Sequence, residues 1–330
     1  MSVRAFPVTL AWFGKLPGHG DFLRSSQQGL LTQRLDQWLA QGLDLMAADS
    51  RWKQIYDQAR GTPFALFGVQ GRAMLVGYLQ PSTDLSGRRY PFVLTGAIDM
   101  DGAAGQWVLI PLLLERLWGD LEQLCRAAHD HAEPVRHLAE AAQREWQLVV
   151  DAAGQQASWQ DFLEDQTLGA LEALLRRGGH PTMDLHRAMV ALGLLLQPVP
   201  ASGVSSLDRG LSLPLPDDPL YRAPVASFWL GLIAPFVSRG NFELSLHFGQ
   251  DGGGGGCLSV GFAGASASAL QVMLDKLKAE ELRVPLVAPD WVDGQLEEGF
   301  AMRKLSSYLR QPQLSLAQAV ATFKECFLGE

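Results

Sequence analysis

Two patterns of apolar and polar positions follow one another along the chain, and they predict the order of its elements. Short runs of β-branched and aromatic residues bounded by glycine and proline are typical of strands, whereas apolar positions three and four residues apart are typical of amphipathic helices. The first pattern predicts a sheet, and a helix with one apolar stripe is expected to pack on it. The predicted strands span 8–13, 63–67, 73–79 and 92–98, and the predicted helix spans 31–46.

Helical spacing replaces the strand pattern after Pro111, a residue type favoured in the first helical turn. The apolar positions predict one helix from Pro111 and three more at 134–150, 158–177 and 184–196. Ser158 and Asp184 stand where N-caps of two of these helices are expected.

The segment from Pro198 to Pro224 is rich in proline and has no apolar period, so it predicts a domain boundary or a long surface connection. Strands are predicted again at 226–234, 242–248 and 258–262, with the glycine run 252–256 as a flexible link and a last helix capped by Ser315. We therefore predict an α/β domain at 1–145, a helical extension at 146–200 and a smaller α/β unit at 201–330.

Composition narrows the possible classes of protein. Hydrophobic residues make up 47% of the 330 residues and charged residues 19%, which is enough apolar surface to bury a core. The net charge of −8, with scattered basic residues, argues against a nucleic-acid partner. The three cysteines lack metal-ligand or disulfide spacing, and no apolar run reaches the ~20 residues that span a bilayer. We expect a cytoplasmic protein without membrane insertion.

Two loops contain the polar residues of greatest interest. Residues 14–24 are GKLPGHGDFLR and residues 81–92 are PSTDLSGRRYPF, both rich in turn-forming residues. The two loops are expected to lie side by side at strand ends, with Asp21 paired to Arg88 or Arg89. The glycine spacing does not match either phosphate-binding fingerprint. Rigid turns are the first interpretation, with Asp21 capping the segment that follows. A nucleotide-binding or hydrolytic enzyme that uses the two loops is the alternative.

Other candidate chemistry is weak. His129, His131 and His137 surround Glu133, but Pro134 interrupts the helix within the set, so a solvated helix end is favoured over a metal site. No serine lies in a GxSxG elbow. We therefore predict no catalytic residues, no metal and no cofactor.

Several segments together resemble the TagF family, also called ImpM, of the bacterial type VI secretion system. They are WFGKLP at 12–17, GDFLR at 20–24, the helix with Asp36, Trp38 and Leu39, and the whole of 81–92. The segments occur in the family's order and cover about the first 130 residues. The chain departs from the family pattern at Leu85, where a valine before an arginine is usual, and at His19, where a small or basic residue is common.

The resemblance implies a three-layer α/β/α domain and a cytoplasmic accessory protein that represses type VI secretion after translation. It also implies a partner, a forkhead-associated scaffold protein of that system, and no catalytic residues. The candidate partner-binding or motif residues lie in the two loops: Lys15, Pro17, Gly20, Asp21, Phe22, Arg24, Ser82, Asp84, Gly87, Arg88 and Arg89.

Overall fold

One large sheet forms the centre of the protein. The computed structural model describes residues 3–26, 28–100, 106–238, 240–296 and 299–329. In this part of the chain, nine strands join in the order β11-β8-β10-β9-β4-β5-β6-β2-β3, and β1 and β7 form a separate pair. The strands are β1 Arg4–Pro7, β2 Thr9–Gly14, β3 Leu23–Arg24, β4 Thr62–Phe67, β5 Ala73–Gln80, β6 Phe92–Asp99, β7 Gln147–Val150, β8 Gly210–Pro214, β9 Leu244–Gln250, β10 Gly256–Gly261 and β11 Arg283–Pro285.

The sheet is continuous from the N-terminal strands to the C-terminal strands. β4 pairs antiparallel with β5 on one side and with β9 on the other, where Phe64 lies opposite His247. β8, β9 and β10 pair antiparallel, and β11 adds a parallel edge strand beside β8. The sheet is therefore mixed, and it includes strands from both ends of the chain.

Helices cover both faces of this sheet, as the predicted α/β fold requires. Side chains along β4 alternate between the two faces of the sheet. Ala65 and Phe67 lie in a large core with α3 and α9, and Phe64 and Leu66 lie in a smaller core with α1 and α10. The helices are α1 Gly29–Ala47, α2 Trp52–Gln58, α3 Ile110–Asp130, α4 Pro134–Ala142, α5 Ala152–Asp165, α6 Leu168–Arg177, α7 Leu185–Leu196, α8 Val199–Ser202, α9 Pro219–Val237, α10 Ala267–Leu274, α11 Lys276–Leu282, α12 Gly299–Leu309 and α13 Leu316–Leu328.

Two predicted helices differ from the structure. The predicted helix 134–150 is α4 followed by strand β7, because Leu148 and Val150 alternate into the core while β7 pairs with β1. The predicted helix 158–177 is two helices, α5 and α6, capped by Asp151 and Thr167. Ser158 lies inside α5 and caps nothing, whereas the predicted cap Asp184 is confirmed.

The predicted strand 226–234 is wrong, because these residues belong to α9. This helix carries apolar residues on all of its faces. Its sequence therefore lacks the one-sided apolar stripe by which a helix is recognised. In the described residues it is the one helix long and apolar enough to cross a membrane, but 61% of it is buried inside the protein. The core helix of a soluble protein has the same composition. The predicted surface connection 198–224 contains α8, β8 and the start of α9.

The glycine run 252–256, predicted to be a flexible link, is a closed turn between β9 and β10. The amide of Asp251 donates to the carbonyl of Gly255 at 2.8 Å, and the amide of Gly255 donates to the Asp251 carboxylate at 2.9 Å. A side chain at Gly255 would overlap His180, which is packed beside it. The glycines therefore permit close packing here.

Candidate functional site

The two motif loops lie side by side, as the sequence predicts. The amide of Leu85 donates to the carbonyl of His19 at 2.9 Å, and Arg88 Nη2 donates to the carbonyl of Gly20 at 3.0 Å. The cause is the antiparallel pairing of β2 with β6, because the first loop leaves the end of β2 and the second enters β6 at the same sheet end. Gly14, with a φ of 138°, has no room for a side chain beside the Pro91 carbonyl, so glycine is needed where the loops meet.

A buried group of charges joins the loops. Asp84 Oδ2 accepts from Lys15 Nζ at 2.9 Å and from Arg88 Nε at 2.6 Å. Its other oxygen accepts from the amides of Ser86 and Arg88, each at 2.9 Å. Burial opposes ionisation of Asp84, but the hydrogen bonds from Lys15 and Arg88 hold the pKa of the carboxyl well below its usual range. Asp84 is therefore ionised and fully engaged inside the protein.

The predicted ion pair between Asp21 and Arg88 or Arg89 is wrong. In the described residues, Arg88 bonds to Asp84 and Arg89 forms a two-pronged pair with Asp57 of α2, at 2.6 and 2.7 Å. Asp21 is exposed and caps no helix, because α1 begins after Gln28 without a side-chain cap. Sequence spacing identified the correct loop and the wrong carboxylate.

Helices α1 and α2 support the second loop through contacts that the sequence analysis missed. Tyr56 of α2 is buried, and its hydroxyl donates to the carbonyl of Ser82 and accepts from the Ser82 amide, at 3.0 and 2.9 Å. Burial raises the pKa of this hydroxyl above its ordinary value. Tyr90 donates to the Asp36 carboxylate at 3.1 Å. Nothing in the spacing of α2 indicated that it serves this loop.

An aromatic cluster forms the other side of the site. The ring of Phe22 stacks on Phe13 at 5.3 Å and meets the edge of Tyr90 at 4.8 Å. Lys15 Nζ lies 4.7 Å from the centre of the Phe22 ring, within cation–π range. Phe22 is nevertheless 44% exposed, so one side of the ring faces outward.

The candidate residues therefore divide into an inner and an outer set. Lys15, Ser82 and Asp84 are buried, and Pro17 and Arg89 are partly buried. We call the outer set, with the neighbouring Leu85, the motif surface: Gly20, Asp21, Phe22, Arg24, Leu85, Gly87 and Arg88, all exposed. Leu85 is 71% exposed and lies beside the exposed Arg88.

The histidine cluster has no metal-ligand geometry. The rings of His131 and His137 stack with centres 4.8 Å apart, and the Glu133 amide donates to His131 Nδ1. Across the residues that the structure describes, no three His, Cys, Asp or Glu side chains are placed to hold one metal ion.

Comparison with known proteins identifies a family that part of this chain resembles. Residues 11–145 match the model of the TagF N-terminal domain, described as type VI secretion system-associated. This region is similar to the TagF N-terminal domain. Both motif loops and helices α1 to α4 fall within it, and the resemblance stated from the motif residues is confirmed.

Two other comparisons add little. No curated protein matches the chain. A solved structure, PA0076 from Pseudomonas aeruginosa PAO1, is similar over 45% of this chain and 74% of its own, with 18% sequence identity and a TM-score of 0.36.

Proposed function

We propose that this protein represses type VI secretion after translation, by binding a forkhead-associated scaffold protein in the cytoplasm through the motif surface. The observation that supports this most is the exposure of Phe22 in the first loop together with Leu85 and Arg88 in the second loop, where the two loops are in contact. Exposed aromatic and arginine side chains are the residue types that dominate protein–protein interfaces. A TagF N-terminal domain provides the link to type VI secretion.

The inner charges prepare this surface for binding. Lys15 and Asp84 are buried against each other, so they cannot serve as contacts with a partner while the loops keep this conformation. Their pairing fixes both loops before binding, which lowers the ordering cost of association. We therefore assign the partner contacts to the motif surface and a supporting role to Lys15 and Asp84.

We also propose that the loops bind and do not catalyse. An enzyme that bound nucleotide here would need Lys15 free for phosphate, but its ammonium bonds to Asp84 at 2.9 Å. A cleft of about 1270 Å³ is lined by other segments, and Lys15, Asp84 and Arg88 are not among its lining residues. Calorimetry with a nucleoside triphosphate tests the alternative, and binding that is lost on Lys15→Met substitution would favour the enzyme.

The decisive experiment measures binding of the purified scaffold protein to the intact chain by calorimetry. The double variant Leu85→Ala with Arg88→Ala removes an exposed apolar and a charged contact, and we expect affinity to fall more than about tenfold. Arg116→Ala is the matched control, because this exposed arginine lies on α3, away from the loops. If both variants bound as tightly as the parent and still repressed secretion, the partner site would lie elsewhere.

A further inference from the structure

A row of polar side chains crosses the C-terminal part of the sheet on one face. Ser212 of β8, Ser259 of β10 and His247 of β9 are register partners, so their side chains point to the same side. Cys257 precedes Ser259 by two residues and shares this face. Buried sheet faces are normally apolar, as the opposite face is here, so this row needs an explanation.

Arg283 lies across the same face. Its residue is only 6% exposed, and Nε donates to Ser259 Oγ at 2.8 Å. A side chain at Gly210 or at Gly261 would crowd the arginine, so these two glycines leave the space in which its side chain lies. The strands are thus shaped to hold a guanidinium at this point.

The guanidinium has no counterion in the described part of the chain. Besides Ser259, its hydrogen-bond partner is the carbonyl of Leu282, at 3.2 Å from Nη1, and no carboxylate lies within 4.0 Å. An arginine has five N–H donors, so this one retains unused donors. Burial lowers the pKa of Arg283 to about 10, and burial together with Arg283 lowers the pKa of His247 to about 3. Arg283 is charged near neutral pH and His247 is not.

These side chains open onto a cleft. Arg283, Ser259, Ser212, His247 and Cys257 line part of a cleft of about 1270 Å³. Acidic residues line it as well, among them Asp217, Asp251, Asp275 and Glu280, but none pairs with Arg283. The volume is large enough for a cofactor-sized molecule and far exceeds that of one inorganic anion.

We propose that Arg283, together with Ser259 and His247, binds the oxyanion group of a small molecule, a phosphate or a carboxylate, in this cleft. An unpaired buried charge is costly, and an oxyanion neutralises it while accepting the unused N–H donors in a two-pronged geometry. The Ser259 hydroxyl and the neutral imidazole of His247 add uncharged donors. This site is separate from the motif surface and does not depend on the function proposed above.

Titration of the intact protein with inorganic phosphate and with acetate tests the proposal, at constant ionic strength against chloride. Thermal unfolding and calorimetry are the two readouts. We expect one of the two anions to raise the unfolding midpoint and to release or absorb heat on binding. Phosphate alone would identify a phosphorylated ligand, and acetate alone a carboxylate. If neither anion shifted the midpoint or gave heat at millimolar concentration, the proposal would be overturned.

Arg283→Met and Arg222→Gln form a matched pair, because Arg222 is an exposed arginine that lines the same cleft. Arg283→Met should weaken anion binding at least about tenfold, since it removes the charged partner, and Arg222→Gln should not. In buffer without the anion, Arg283→Met should melt no lower than the parent, because a buried uncompensated charge has been removed. Equal anion responses in the three proteins would contradict the proposal. If Arg283→Met did not fold, Ser259→Ala would take its place, with weaker anion binding expected.

Discussion

At the scale of single residues, the protein buries charges in two ways. Asp84 is surrounded by donors, and His180 is held by Asp251, whereas Arg283 has no counterion in the described chain. Buried charges are ordinarily paired, because removing a charge from water is costly. The two paired sites therefore have structural roles, and the unpaired site is the candidate for a ligand.

The first prediction concerns the charge that joins the motif loops. Asp84→Ala should lower the midpoint of thermal unfolding by several degrees, because it leaves the buried ammonium of Lys15 without a partner. Arg88→Ala should have little effect, since the Arg88 side chain is 63% exposed and surface ion pairs contribute little. Thermal unfolding by circular dichroism compares the two. Equal midpoints in both variants would mean that the loops do not depend on Asp84.

The second prediction concerns pH and His180. Its Nδ1 faces the Asp251 carboxylate at 3.0 Å, and its Nε2 faces the carbonyls of Leu215 and Gly256 at 3.1 and 2.9 Å. Burial opposes protonation, but these acceptors outweigh it and raise the pKa of His180 above its usual 6.5. The protonated form is therefore favoured by folding. This stabilisation is fully present below pH 6.5 and is lost as the pH rises through the folded pKa.

We therefore expect the free energy of unfolding to fall, as the pH rises above 6.5, more steeply in the parent than in His180→Gln. Urea unfolding at a series of pH values measures this slope. His131→Gln is the control, because His131 is an exposed histidine in the connection between α3 and α4. Identical slopes for the parent and His180→Gln would show that His180 is not protonated in the folded protein.

At the scale of elements, local patterns predict short strands and one-sided helices well, and they predict a helix that is buried on all sides poorly. α1 lies close to its predicted position because it has one apolar stripe. Strands β4 to β6 are buried on both faces, and they were predicted because they are short β-rich runs bounded by turn-forming residues. Residues 226–234 of α9 have the pattern of a strand because this helix is buried on all sides and shows no helical period. The break between α5 and α6 was missed because only Thr167, a cap, marks it.

The third prediction uses two serines that were both expected to be N-caps. Ser315 accepts from the Gln318 amide, and the Gln318 side chain accepts from the Ser315 amide, so α13 begins with a capping box. Ser315→Ala should lower the free energy of unfolding by about 1 kcal/mol. Ser158 lies exposed within α5, so Ser158→Ala should be neutral or slightly stabilising, since alanine favours helix. Urea unfolding of both variants measures the difference, and an equal loss in both would contradict the capping assignment.

At the scale of the whole molecule, the sequence predicted the parts of the sheet better than their order. Strand segments on both sides of the helical region were recognised, but pairing between β4 and β9 joins residues about 180 positions apart. Local spacing contains no information on such pairing. The candidate site shows the same limit: the loops and their proximity were predicted, whereas the choice of Asp84 over Asp21 depends on burial.

The last prediction follows from the continuity of the sheet. Strand β9 pairs with β4, and the hydroxyl of Thr62 donates to the carbonyl of Phe248 beside this pairing. α9 packs on α3, while Phe236 and Phe323 bring α9 and α13 together in the same core. A fragment of residues 205–330 would therefore expose the edge of β9 and the apolar sides of α9 and α13.

We expect the intact chain to unfold in one cooperative transition and the fragment 205–330 to give none, because its largest apolar surfaces lose their partners. Circular dichroism during heating of both proteins measures this, with fragment concentration varied to detect aggregation. A cooperative melt of the fragment at the temperature of the intact chain would mean that the C-terminal strands fold independently. The contacts between β4 and β9 would then join two units that fold independently. Substitutions at that junction would leave the unfolding midpoints of both proteins unchanged.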